Sequence, residues 1–193
     1  MNKRAIARLM HQRVEGLKQS GGYFFREEFE HVLRGILFEY MPRGVHLWHF
    51  RFPLFDFFGE NLLYSNRLAV DGFIAKDELS EEAIVDRVFS QPELFEALRP
   101  GPPTSLQHFL HFLEGSEAML NPHAHLVYAS GLVLALEDAR AKDVLSAILP
   151  RLSTRDTENC RKLQASLQQG AEAAIALLDD VRQKNLMSFG LRK

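Results

Sequence analysis

The chain has 193 residues, of which 46% are apolar and 25% charged, the balance of a folded globular domain and not of a disordered, collagen-like or disulfide-stapled chain. Lys and Arg number 23 against 25 Asp and Glu, a formal net charge of −2, so no global basic field draws the chain to nucleic acid. A single cysteine, Cys160, excludes an intrachain disulfide and a Cys-rich zinc site, and no apolar run reaches the roughly 18 residues of a membrane span.

The first predicted element is a helix over residues 3–18. Ile6, Leu9, Met10, Val14 and Leu17 share one face, Arg4, Arg8, Gln12 and Glu15 the other, and Ser20-Gly21-Gly22 ends it. The apolar stretch is interrupted at His11-Gln12-Arg13, too soon for a signal peptide, which leads to an expected cytoplasmic location. Of 20 aromatic residues, 14 then fall between Tyr23 and Phe73, a composition that suits a pleated surface. Strands are expected over 23–31, 32–41 and 45–52, with a turn at Pro42-Arg43-Gly44. A helix over 27–40 competes, because Phe29, Val32, Leu33 and Ile36 also fit a 3.6 period. Residues 61–70 read as a further strand, and Asp71-Gly72 as a hairpin turn into Phe73-Ile74-Ala75.

From Ser80 the pattern becomes helical. Ser80 is placed to cap a helix carrying Glu81 and Glu82 in its first turn, and Pro92 opens a short helix to about Leu98. Arg99-Pro100-Gly101-Pro102-Pro103 reads as a connector, since its prolines block helix continuation. Helices follow around Leu106–Leu113 and from Asn121-Pro122 to about Leu136, then over 139–149, 156–167 and 170–185. The expected fold is therefore α+β: an N-terminal helix plus an antiparallel meander, then a bundle of short helical hairpins. Residues 1–99 and 104–193 form its two regions, expected to pack as one compact unit.

Candidate chemistry is sparse. The histidine pairs 46/49, 108/111 and 123/125 do not present two imidazoles to one ion in their expected elements, so no metal and no cofactor are expected. There is no Gly-x-Ser-x-Gly elbow or phosphate loop, and Cys160 reads as an ordinary helix-face thiol. Arg26, Arg34, Arg43, Arg51 and Arg67 are interleaved with acidic residues, which weakens nucleic-acid binding further. Two acidic groups stand out. Glu78, Glu81, Glu82 and Asp86 have a simple account as favourable charges at a helix N-terminus. Asp56 and Glu60 lie in Phe55-Asp56-Phe57-Phe58-Gly59-Glu60, either a partner-binding patch or a partly buried strand corner.

Gly22-Tyr23-Phe24-Phe25-Arg26, Leu33-Arg34-Gly35-Ile36-Leu37-Phe38 and Leu47-Trp48-His49-Phe50-Arg51-Phe52, following an amphipathic helix, resemble small α+β immunity proteins of bacterial polymorphic-toxin systems. The resemblance covers about residues 3–76 and rests on pattern. It implies a non-catalytic protein that binds and occludes a cognate toxin domain. On that reading Trp48 is an aromatic anchor, and Asp56, Glu60, Glu78, Glu81, Glu82 and Asp86 are contact charges. The alternatives are a metal-dependent hydrolase built from dispersed histidines, and an adaptor or chaperone that holds a client with residues 104–193.

Overall fold

A computed structural model describes residues 1–67 and 72–191. The fold is α+β, with an N-terminal helix, an antiparallel sheet and C-terminal helices. Helix α1 (Lys3–Arg13) is capped by the Asn2 side chain, which accepts from the amides of Arg4 and Ala5. It ends earlier than its apolar spacing suggests. Val14 is extended and Gly16 turns the chain at φ +72, a conformation that glycine adopts without steric penalty. Lys18, expected as the last residue of the helix, instead opens β1 (Lys18–Ser20), and Gly21-Gly22 becomes a hairpin turn into β2 (Tyr23–Phe25), with Ser20 opposite Tyr23.

The strand expected over 23–31 stops at Phe25. Beyond it, Arg26 donates to both Glu28 carboxylate oxygens and to the Glu15 carbonyl, holding the chain out of the ladder. Strand β3 (Val32–Met41) replaces the competing helix, and the two-residue turn Pro42-Arg43 leads into β4 (Gly44–Pro53). Strands β5 (Asn66–Arg67) and β6 (Phe73–Ala75) both pair with β4, so the order β1-β2-β3-β4 ends on two short strands sharing one edge. The strand expected over 61–70 is shorter because Asn61 bends its start. The Asn61 side chain accepts from the Leu63 amide and donates to the Gly59 carbonyl, a local alternative to ladder pairing. Its remainder, and the Asp71 position of the expected turn, lie outside the described residues.

The helices match their sequence signals more closely. They are α2 (Glu81–Ser90), α3 (Pro92–Leu98), α4 (Leu106–Glu114), α5 (Pro122–Leu134), α6 (Asp138–Ile148), α7 (Thr154–Gln169) and α8 (Ala171–Ser188). Ser80, Ser105, Asn121 and Ser153 cap α2, α4, α5 and α7 with side-chain oxygens. Gly170, at φ +134, separates α7 from α8.

The chain divides into two compact units. One comprises Met1–Phe29, Leu33–Arg51 and Ser65–Pro103; the other comprises Glu30–Val32, Phe52–Tyr64 and Thr104–Lys193. Residues 30–32 and 52–64, read from the sequence with the sheet, thus belong with the helices. In the first unit Ile6 and Met10 of α1, Ile84, Val85 and Val88 of α2 and Leu94 of α3 pack with Phe24, Ile36, Phe38, Val45 and Leu47 of the sheet. In the second, Phe55 and Tyr64 join Phe109, Leu113, Leu132, Leu145, Leu163 and Leu178 from the helices. Among the described residues no helix is long and apolar enough to cross a membrane.

Gly35 permits the closest backbone approach in the sheet. A Cβ there would lie 2.1 Å from the Phe24 carbonyl oxygen and 2.8 Å from the Phe50 ring. Gly35→Ala is expected to destabilise the fold by about 1–3 kcal/mol, the range for forcing extra volume into a packed site, seen as a lowered midpoint in urea unfolding.

Candidate functional site

The most concentrated polar chemistry lies in the second unit, around a loop spanning residues 54–61. Phe55 is drawn into the helical core, and this carries the neighbouring Asp56 to 0% exposure. A buried carboxylate is tolerated only where donors surround it. Asp56 has them: the Phe58 amide donates to Oδ1 at 2.8 Å, and Asn61 Nδ2 donates to Oδ2 at 2.7 Å. Asn185 of α8 fixes the same loop by its backbone, donating to the carbonyls of Leu54 (2.7 Å) and Asp56 (2.9 Å).

The remaining partner is His123, the residue after Pro122 at the start of α5, its amide held by Asn121 Oδ1 at 3.0 Å. Its Nε2 lies 2.9 Å and 3.1 Å from the two Asp56 carboxylate oxygens, and its Nδ1 lies 3.0 Å from Asp156 Oδ1. Asp156 sits in the first turn of α7. Ser153 Oγ accepts from its amide and donates to its Oδ2 at 2.9 Å, a reciprocal cap of the kind that anchors helix starts.

With both carboxylates ionised, the geometry favours one protonation state of the ring. A neutral imidazole carries one N–H, so either tautomer would set a nitrogen lone pair against a carboxylate, whereas the imidazolium donates to both. Burial pushes His123 down, but the Asp56 hydrogen bond and the charges of Asp56 and Asp156 outweigh it and hold the ring above the ordinary histidine value. Nearby, the Tyr64 hydroxyl is buried without a hydrogen-bond partner among the described residues. Burial, and then the Asp56 and Asp156 charges, raise it well above the usual phenol range.

Such a group ties a loop to two helix starts. Both His123 nitrogens are engaged, leaving neither to act as a base toward a substrate. Ser130 Oγ donates to the Leu126 carbonyl of its own helix. Cys160 is buried and not on a helix surface as expected; its Sγ faces the Leu145 carbonyl, and burial pushes its thiol up, away from thiolate. Among the described residues no group of three or more His, Cys, Asp and Glu side chains is placed to hold a metal ion.

The loop presents one aromatic ring to solvent. Phe58 is 46% exposed, its ring T-shaped to the His123 ring with centroids 5.4 Å apart, while the Arg155 guanidinium lies 4.7 Å over its face. Beside it opens a cleft of about 250 Å³ whose walls include Gly59, Asn159, Lys162, Lys184 and Asn185.

The acidic residues singled out in the sequence are distributed otherwise than expected. Asp56, read as a contact charge, is fully buried against His123 and is unavailable to a partner; Glu60 beside it is exposed. In the first unit, Glu78 accepts from the Ala75 amide, Glu81 from the Asn2 amide, and Asp86 pairs with Arg13, while Glu82 is exposed in the first turn of α2. Trp48 is half-buried, its indole N–H donating to Glu39 at 2.8 Å. Sequence reading missed that His123 joins Asp56 to Asp156, because the two carboxylates lie 67 and 33 positions from it respectively, beyond any spacing argument. The available signals were local: Asn121-Pro122-His123 and Ser153-Thr154-Arg155-Asp156 are helix starts carrying a titratable side chain.

No family model, curated protein or solved structure matches the chain.

Because His123 is raised in the folded state, its stabilisation is complete below the unfolded histidine value of about 6.5 and is lost as pH rises through the folded value. Replacing one partner of a buried ion pair costs about 3–5 kcal/mol. His123→Gln is therefore expected to lose about that much at pH 6 in urea unfolding, and the gap from the parent chain should narrow as pH rises. A gap that widens with pH contradicts the imidazolium assignment.

Proposed function

We propose that the protein is a non-catalytic protein-binding module, and that it acts as an immunity protein, occluding a toxin domain by steric contact. The observation that carries the binding reading is the Phe58 ring with Arg155 over it, displayed on a loop whose backbone is clamped by Asn185 and whose Asp56 is locked to His123. Aromatic and arginine side chains dominate the energetics of protein contacts. A loop already fixed in the free protein loses little conformational entropy when it docks.

Charge refines the contact. Arg155, Lys162 and Lys184 surround Phe58 and its cleft with positive groups, with Glu60 exposed on the same loop. A partner offering an apolar pocket for Phe58 and carboxylates at its margin fits this pattern. Inhibition then needs no bond-making by this chain, since covering the toxin's working surface is sufficient.

The test is affinity purification from the native host, followed by binding and toxicity assays on the recovered partner. Phe58→Ala is expected to weaken the complex at least about 30-fold, a hot-spot loss of about 2 kcal/mol. Arg155→Glu should weaken it further, with unfolding midpoints close to the parent chain. An unaltered complex in both variants overturns the assigned contact. A partner that stays toxic when saturated overturns the inhibitor reading.

A further inference from the structure

A second histidine meets the same loop with the opposite charge requirement. His31 lies in the segment Glu30–Val32, which belongs to the helical unit. Three contacts seat that segment. The His31 carbonyl accepts from the Leu54 amide at 2.8 Å, and the Glu30 carbonyl accepts from Arg182 Nε of α8 at 3.1 Å. The His31 ring is T-shaped to the Phe55 ring, with centroids 6.4 Å apart. Arg182 stands three residues before Asn185, so one face of α8 ties down both this segment and the loop at Leu54 and Asp56.

His31 differs from His123 in what its ring nitrogens find. Its Nδ1 is buried without a hydrogen-bond partner among the described residues. The neutral tautomer protonated at Nε2 leaves only a lone pair unmatched there. The imidazolium instead buries a charged N–H with nothing to receive it, which costs more. The charged groups acting on the ring are Arg182 and Asp179 of α8 and Glu30 of its own segment, while the loop brings the apolar ring of Phe55. Burial, and then the Arg182 charge, outweigh the two carboxylates and hold His31 below the ordinary histidine value.

We propose that His31 is a proton-operated catch: neutral, it seats Glu30–Val32 on α8 and the Phe55 loop, and protonated, it releases that segment. Moving the imidazolium into water gives its Nδ1–H an acceptor and separates it from the Arg182 guanidinium. His123 responds in reverse, because its two contacts strengthen when the ring is charged. Acid therefore loosens the loop's contact at Leu54 and leaves its contact at Asp56 closed. The catch is a property of the free chain and stands whether or not Phe58 meets a partner.

The test is amide hydrogen exchange by NMR on the full chain, with the His31 and His123 rings titrated in parallel from about pH 7.5 to about pH 4.5. The Leu54 amide reports the His31 contact and the Phe58 amide reports the Asp56 contact. After correction for intrinsic exchange, Leu54 protection is expected to be full above about pH 6.5, the value of an exposed histidine. It should fall at least about threefold as pH drops toward the lowered value of the seated ring, then level off. Phe58 protection should not fall over that interval. His31→Gln stays neutral throughout and should remove the pH dependence at Leu54. If His31 titrates at or above about 6.5, or Leu54 follows the same profile as Phe58 in the parent chain, the catch is overturned without any variant. A folded His31→Gln chain that keeps the parent's pH dependence at Leu54 also overturns it.

Discussion

An imidazole with a carboxylate at each ring nitrogen has only one charge state in which both contacts attract, and the polar interior of the helical unit is arranged around that state. His123 must be cationic to satisfy Asp56 and Asp156 together, and each carboxylate must be supplied with further donors because one positive charge cannot neutralise two negative ones. Asn61, the Phe58 amide and Ser153 provide them. The group joins three distant stretches of chain, and each is a place where regular structure begins or breaks: a loop, the first turn of α5 and the first turn of α7. Helix starts have unpaired amides and favour negative charge, so Asp156 is stabilised by its position before His123 is considered.

The two units place polar groups at the limits of their apolar periodicity, by different means. In the helical unit the stripes of α5 and α7 run into capped first turns, and the titratable side chains lie there. In the sheet unit the apolar rows of β3 and β4 run into arginine and histidine. Both are held by the packing of the elements that carry them.

Much of the fold was legible because its determinants are local. Ser80, Pro92, Gly115 and Asn121-Pro122 mark helix ends through their own backbone preferences, and the helices begin or stop there. The N-terminal region was read less well for a physical reason. Leu17 continues the helical apolar spacing of α1 and is indeed buried, but Gly16 has already turned the chain, so the same burial is reached from a different backbone. The site was almost illegible. Asp56 looked like either a surface charge or a buried corner, and only the long-range meeting with His123 decides between them. Cys160 was misplaced because Glu158, Arg161 and Lys162 around it are polar, although it shares the buried face of α7 with Asp156, Leu163 and Leu167.

That burial gives the molecule an internal clock for its own fluctuations. Cys160 is the chain's one thiol, it has no exposure, and its sulfur is turned to a carbonyl of the neighbouring helix. A reagent in solution reaches it when the helical core around it opens. The rate of alkylation then equals the intrinsic thiol rate scaled by the fraction of time that face is open. The helical unit thus carries a natural gauge of its local opening free energy, readable from the unmodified chain with no label introduced.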